Sequence, residues 1–191
     1  MGEGAQLLSR NPKRVELNVI QRSTTLKLLG NILKLSSVNN SYTMSSYRQI
    51  LYHISFHTWN SEKVLHNSEN EELFKYIWGV IKNKKCKLYR INGVEDHIHI
   101  ICDLHPSCAL ADLVKDIKVS SSIWIKEKKI YPLFSNWAES YGAFTLSIRE
   151  KDAVIKYVMN HQEHHKRENF REEFIKLLKE NGVDYDEKYL I

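Results

Sequence analysis

Apolar residues along this chain switch repeatedly between a period of two and a period near 3.6, the spacings of strands and helices. Ile50 to Thr58 alternates and is rich in aromatic and β-branched residues, which predicts a first strand. Asn70 to Lys84 carries Leu73, Ile77, Val80 and Ile81 at helical spacing. Its acids come early and its lysines late, as the helix dipole favours. Lys87 to Ile91 reads as a short strand, and Asn92-Gly93 predicts a hairpin turn. A second apolar strand follows, Val94-Glu95-Asp96-His97-Ile98-His99-Ile100-Ile101, running to about Asp103 before Pro106. Ala109 to Lys128 predicts a helix, Tyr141 to Ile148 a fourth strand, Asp152 to Arg167 a third helix, and Glu172 to Glu180 a fourth, stopped by Asn181-Gly182. The order β-α-β-β-α-β followed by helices predicts an α+β fold, a ferredoxin-like sheet with a C-terminal helix bearing the chemistry and a further helix.

Residues 1–43 depart from this pattern. They are rich in Leu, Ser and Asn, with imperfect helical spacing from Val19 to Leu35 through Ile20, Leu28 and Ile32. Ser36 to Ser41 reads as a polar linker, and Met44 follows shortly after. The expectation is an N-terminal extension over 1–43, poorly ordered or loosely helical, and a domain over 44–191; an appended helix, a floppy leader and an over-extended start all fit. This division also changes the meaning of the charge. Of the net +5, residues 1–43 hold 6 Lys/Arg against 2 acids, and 44–191 hold 22 against 21. Charge alone therefore does not mark the main body as a polyanion binder, and local clusters such as Lys82 to Lys87 must carry any such role. No stretch approaches the roughly 20 apolar residues of a membrane helix, and no signal-peptide core is evident, so a soluble cytoplasmic protein is expected. Cys86, Cys102 and Cys108 show no CxxC spacing, which argues for reduced thiols over disulfides or a cysteine zinc site.

The candidate chemistry lies in two places. Successive strand side chains alternate, so His97 and His99 share one face while Ile98 and Ile100 turn to the core. Neutral imidazoles are good ligands for a divalent ion, but two are too few, and the helix Asp152–Arg167 offers a third. Taking Tyr157 as zero at ~100° per residue, His161 falls near 40°, His164 near −20° and Gln162 near 140°. Val154, Ile155 and Val158 mark the packed side. Tyr157, His161 and His164 thus form a polar edge bordering the core, beside Asn160 and His165. A tyrosine hydroxyl next to three ligands suits metal-assisted nucleophilic attack, with Mg²⁺ or Mn²⁺ leaving open positions for a phosphate oxygen. A tyrosine that merely closes the core boundary, with two core histidines, is the alternative.

Several stretches resemble the single-tyrosine HUH transposases, the insertion-sequence group that includes the REP-associated tyrosine transposases. These are Tyr47 to Thr58, Asn92 to Ile100, Val114 to Lys118 with Ser120 to Ile125, and Tyr141 to Ser147. The closing segment resembles them most, in Tyr157-Val158-Met159-Asn160, His164-His165, Phe170, Glu173-Phe174 and Asp184 to Leu190. The resemblance spans about 44–191. It implies that His97 and His99 are metal ligands and Tyr157 the nucleophile. His161 stands where the family usually has a glutamine completing the metal site, with Gln162 one step later; His161 is preferred as third ligand. Trp59 replaces a usual lysine, and Ser140 a usual glycine. The implied activity is cleavage and rejoining of single-stranded DNA through a 5′-phosphotyrosine. An imperfect DNA hairpin and a homodimer are the implied partners, with the active site completed within one chain or between two. A DNA-hairpin-binding protein derived from a transposase but without strand cleavage is the alternative function.

Overall fold

The computed structural model describes residues 47–66, 68–165 and 169–190. The expected extension over 1–43, its helix-like stretch and its boundary at Met44 lie outside the described residues.

Four strands, β1 (Leu51–His57), β2 (Lys87–Gly93), β3 (His97–Asp103) and β4 (Gly142–Leu146), form one antiparallel sheet in the order β2-β3-β1-β4. Helices α1 (Asn70–Asn83) and α2 (Leu110–Lys128) are the two crossovers. This is the ferredoxin-like plan. Each strand buries one set of alternate residues under these helices. Ile54 and Phe56 of β1 and Ile98 and Ile100 of β3 pack with Leu73, Ile77 and Ile81 of α1 and Leu113, Ile117 and Ile125 of α2. The other face is polar at its centre: His53, Ser55 and His57 on β1, His97 and His99 on β3, all buried. The register sets Ser55 opposite His99 and His57 opposite His97. Three short helices provide the cover, α3 (Lys151–Met159), α4 (His161–His164) and α5 (Phe170–Glu180), and Phe144, Leu178 and Leu190 form a small second core there.

Two local expectations are corrected. Asn92 and Gly93 are not a hairpin turn but the last two residues of β2, paired with His99 and Ile98. The turn falls later, where Val94 N–H donates to the His97 carbonyl at 3.0 Å. The pair serves packing instead. A Cβ on Gly93 would lie 2.5 Å from the His97 carbonyl oxygen. Asn92 Nδ2 donates to the carbonyls of Val158 and Met159 at 2.8 and 3.2 Å. The second correction concerns the helix expected over Asp152–Arg167, which breaks at Asn160 (φ −93°, ψ 14°). The break lies beside the two carbonyls that accept from Asn92, so the sheet holds the end of this helix.

Candidate active site

The histidine face of the sheet meets the end of α3, the start of α4 and the buried side of α5. His97, His99, His161 and Glu173 are all at most 1% exposed, and one ligand atom from each lies within 4.8 Å of all the others. His97 Nε2 and His161 Nε2 are 2.7 Å apart. The carboxylate of Glu173 sits between the rings, with His97 Nε2 at 3.2 Å, His99 Nε2 at 3.4 Å and His161 Nδ1 at 3.6 Å. His165 Nε2 bonds the same carboxylate at 2.9 Å. Tyr157 is half-buried, and its hydroxyl donates to Glu173 Oε1. Its ring lies 6.4 Å from that of His99 and 6.1 Å from that of His161. The structure thus brings Tyr157, His97, His99 and His161 together in one chain. Gln162 lies exposed.

The surrounding hydrogen bonds orient two of the imidazoles. His97 Nδ1 bonds Asp96 Oδ1 at 2.5 Å, so the Nδ1–H tautomer is favoured and the Nε2 lone pair turns inward. His99 Nδ1 meets His53 Nε2 at 2.8 Å, and donation from His99 likewise frees His99 Nε2 toward the cluster. His99 Nε2 and His161 Nδ1 are buried without a hydrogen-bond partner, an expensive condition for two polar atoms. Both face Glu173. These features fit a metal ion. An ion with bonds of about 2.1 Å would hold its ligand atoms roughly 3.0–3.4 Å apart; the contacts of His97 and His99 with Glu173, at 3.2 and 3.4 Å, match this, and the whole set lies within 4.8 Å. Three imidazoles with one carboxylate also form a nitrogen-rich set that suits a transition ion better than Mg²⁺.

Burial and neighbouring charge set the protonation states. Burial, reinforced by His99, lowers the His53 pKa to about 3. Burial also lowers His99 and His161, so both are neutral ligands in waiting. His97 is pushed down by burial, but its bonds to Asp96 and Glu173 outweigh that and raise it. Burial raises Glu173, yet the neighbouring His99 and the bonds from His165 and His97 hold it far below the usual carboxylate range. Glu173 therefore rests as the anion.

Sequence reasoning did not single out Glu173 or His53 for the site. Their signals are legible in retrospect. Glu173 occupies the apolar stripe Phe170, Glu173, Phe174, Leu177, Leu178 of α5, where a carboxylate is out of place unless partnered. His53, Ser55 and His57 form a polar period-two series inside an otherwise buried strand. A cleft of about 330 Å³, lined by His53, Tyr157, Glu173 and Lys176 among others, opens beside the tyrosine.

Three comparisons bear on this arrangement. The family described as transposase, IS200-like, matches residues 46–161. A candidate transposase from Deinococcus radiodurans R1 superposes with a TM-score of 0.50 at 19% identity, covering 61% of this chain and 93% of its own. A REP-associated tyrosine transposase bound to a REP hairpin gives a TM-score of 0.50 at 15% identity, covering 64% of this chain and 74% of its own. At such identities these two likenesses speak to the fold. No curated protein matches.

Proposed function

Because the chain belongs to the IS200-like transposase family, we propose that it cleaves and rejoins single-stranded DNA with Tyr157 as nucleophile. The observation that carries this reading is the hydrogen bond from the Tyr157 hydroxyl to Glu173, at the centre of the histidine cluster. A phenol is a poor nucleophile until its proton is drawn away from the attacking oxygen, and the Tyr157 hydroxyl already donates to Glu173, which orients that oxygen. Attack by the phenolate oxygen on phosphorus forms the tyrosyl–phosphate bond. The bond to the 3′ oxygen breaks, leaving a 5′-phosphotyrosine and a free 3′-OH. The diester energy is conserved, so another 3′-OH can reverse the step and reseal DNA.

His97, His99, His161 and Glu173 would hold a divalent ion, Mn²⁺ in preference to Mg²⁺, whose charge polarises the scissile phosphate. Around it, Asp96 and His53 fix the rings of His97 and His99. His165 holds the second oxygen of Glu173, leaving the first for Tyr157. Asn92 anchors the end of the helix that carries Tyr157. A DNA hairpin as ligand is supported by the hairpin-bound relative in fold. A homodimer acting in the cytoplasm, at the nucleoid, and a catalytic unit over 44–191 complete the reading.

The test is covalent capture. Full-length protein incubated with single-stranded DNA and Mn²⁺ should give an adduct that survives SDS, mapped by peptide mass to Tyr157, and Tyr157→Phe should abolish it while DNA binding persists. An adduct on another tyrosine would overturn the assignment. Hairpin binding with no adduct at all would favour the hairpin-binding alternative.

A further inference from the structure

A second surface lies away from the cluster. Helix α2, the short 3₁₀ turn Trp59–Ser61 and the segment leading into β4 enclose an open groove of about 610 Å³. Lys115, Lys118 and Lys126 line it against one acid, Glu139. At ~100° per residue these three lysines fall within roughly 80° of one another, a basic stripe about 16 Å long on the uncovered side of α2. Two aromatic rings stand at its rim. Trp59 is 47% exposed and Tyr141 36%.

Both aromatics are held in place by contacts that the apolar core does not require. Trp59 donates its backbone N–H to the Asn136 carbonyl at 2.8 Å, and the next two residues, Asn60 and Ser61, both have φ of +52°. Left-handed backbone at two successive non-glycine residues is strained, and such strain is concentrated at sites, clamps and switches that bind ligands. Lys118 Nζ bonds the carbonyls of Glu139 and Ser140 at 2.8 and 3.2 Å and lies 6.0 Å from the centre of the Tyr141 ring. Buried contacts tie the Tyr141 end of the groove to the site. Ser140 Oγ meets His57 Nε2 at 3.4 Å, the His57 ring lies 5.1 Å from Phe170, and Phe170 lies 4.3 Å from His97.

We infer that this groove is a track for unpaired DNA, with bases stacking on Trp59 and Tyr141, phosphates lying along Lys115, Lys118 and Lys126, and the strand passing over the end of β1 toward Tyr157. The inference rests on the reading of the chain as acting on single-stranded DNA. Duplex bases are already stacked on one another, so exposed rings offer them nothing, whereas unpaired bases stack on them without sequence preference. The lysines provide the salt-dependent share of binding.

The test is anisotropy of labelled oligo(dT), which forms no hairpin, and of a mixed-sequence duplex, with full-length protein in EDTA so that binding is read without cleavage. Trp59→Ala should weaken oligo(dT) roughly tenfold while Trp59→Phe stays near wild type. The exposed pair Lys115→Gln with Lys126→Gln, which leaves every packed residue in place, should lower the slope of log affinity against log salt by about 1.4. Duplex binding should not change. Unchanged affinity and slope, equal loss for the duplex, or a shift in oligomeric state by light scattering would each overturn the track, the last by making the face a contact between copies. Covalent capture reads the other proposal separately. An adduct with indifferent groove variants sinks only the track, and the expected binding losses without any adduct sink only the cleavage.

Discussion

Asn92 tests whether the sheet positions the nucleophile. Its side-chain amide reaches the end of α3, donating to Val158 at 2.8 Å and Met159 at 3.2 Å. Tyr157 is the residue just before. Asn92→Ala removes both bonds and leaves two carbonyls at a helix end short of a donor, a cost of about 1–2 kcal/mol in all. Asn92→Asp is nearly the same shape but has no donor. It adds a negative charge beside the negative end of the helix dipole, about another 0.5–1 kcal/mol. For a domain of this size each kcal/mol lowers the melting temperature by roughly 2–4 °C. The expected order of thermal stability is therefore wild type, then Ala, then Asp, with Asp lowest by about 5–10 °C at neutral pH.

The same variants should slow adduct formation more than they weaken DNA binding, since a loosened α3 misplaces the hydroxyl and leaves the binding surfaces intact. Differential scanning fluorimetry and a time course of SDS-stable adduct give the two readouts. An Asn92→Asp protein that melts with wild type would refute the anchor. A destabilised variant with wild-type adduct rate would show that the anchor serves folding alone.

Other consequences can be checked on the same protein. Gly93→Ala puts a methyl carbon 2.5 Å from the His97 carbonyl oxygen and 2.7 Å from Ile98 Cγ2, so a loss of at least about 2 kcal/mol in chemical denaturation is expected, with weaker metal response because His97 must shift. His53 has a folded pKa of about 3 against 6.5, so the unfolded chain takes up a proton that the native one refuses. Stability in EDTA should be full above about pH 6.5 and fall by about 2 kcal/mol from this residue by pH 5, a share that His53→Gln removes; a pH-independent difference between the two proteins contradicts it. Glu173→Gln keeps the shape but loses the anion, so the melting-temperature rise caused by Mn²⁺ should largely vanish, adduct formation should fall by at least about tenfold, and wild-type protein should respond to Mn²⁺ more than to Mg²⁺. An undiminished Mn²⁺ response in Glu173→Gln would exclude it as a ligand.

Periodicity made most of the fold legible because each strand and long helix has one plainly apolar face. The crossover order of β and α elements then left few topologies open. The errors fall where a tertiary contact overrode a local signal. Asn92-Gly93 has strong local turn chemistry, yet Asn92 is recruited by the end of α3 and Gly93 by the close approach of His97. The helix expected over Asp152–Arg167 shows no proline or glycine to stop it, and its break at Asn160 coincides with that contact with β2. His97, His99, Tyr157 and His161 could be proposed together because two are i, i+2 on a strand and two are i, i+4 on a helix. Glu173 belongs to neither pattern, and only the packing of α5 across the sheet brings it to them.

The division of labour across the sheet explains why so polar an interior is tolerated. The face toward α1 and α2 is wholly apolar at Ile54, Phe56, Ile98 and Ile100, and can stabilise the fold without help from the other side. The opposite side buries His53, His57, His97, His99 and His161, five of the nine histidines, too many to be neutral filler in a core that aliphatic residues would fill at lower cost. What makes them compatible is Glu173, which draws His97, His99, His161 and His165 around one negative charge. Two ring nitrogens still lack hydrogen-bond partners in that arrangement. The cluster is thus complete in charge but incomplete in bonding. That is the condition expected of ligands arranged for a cation, and a purely structural histidine network has no reason to retain it.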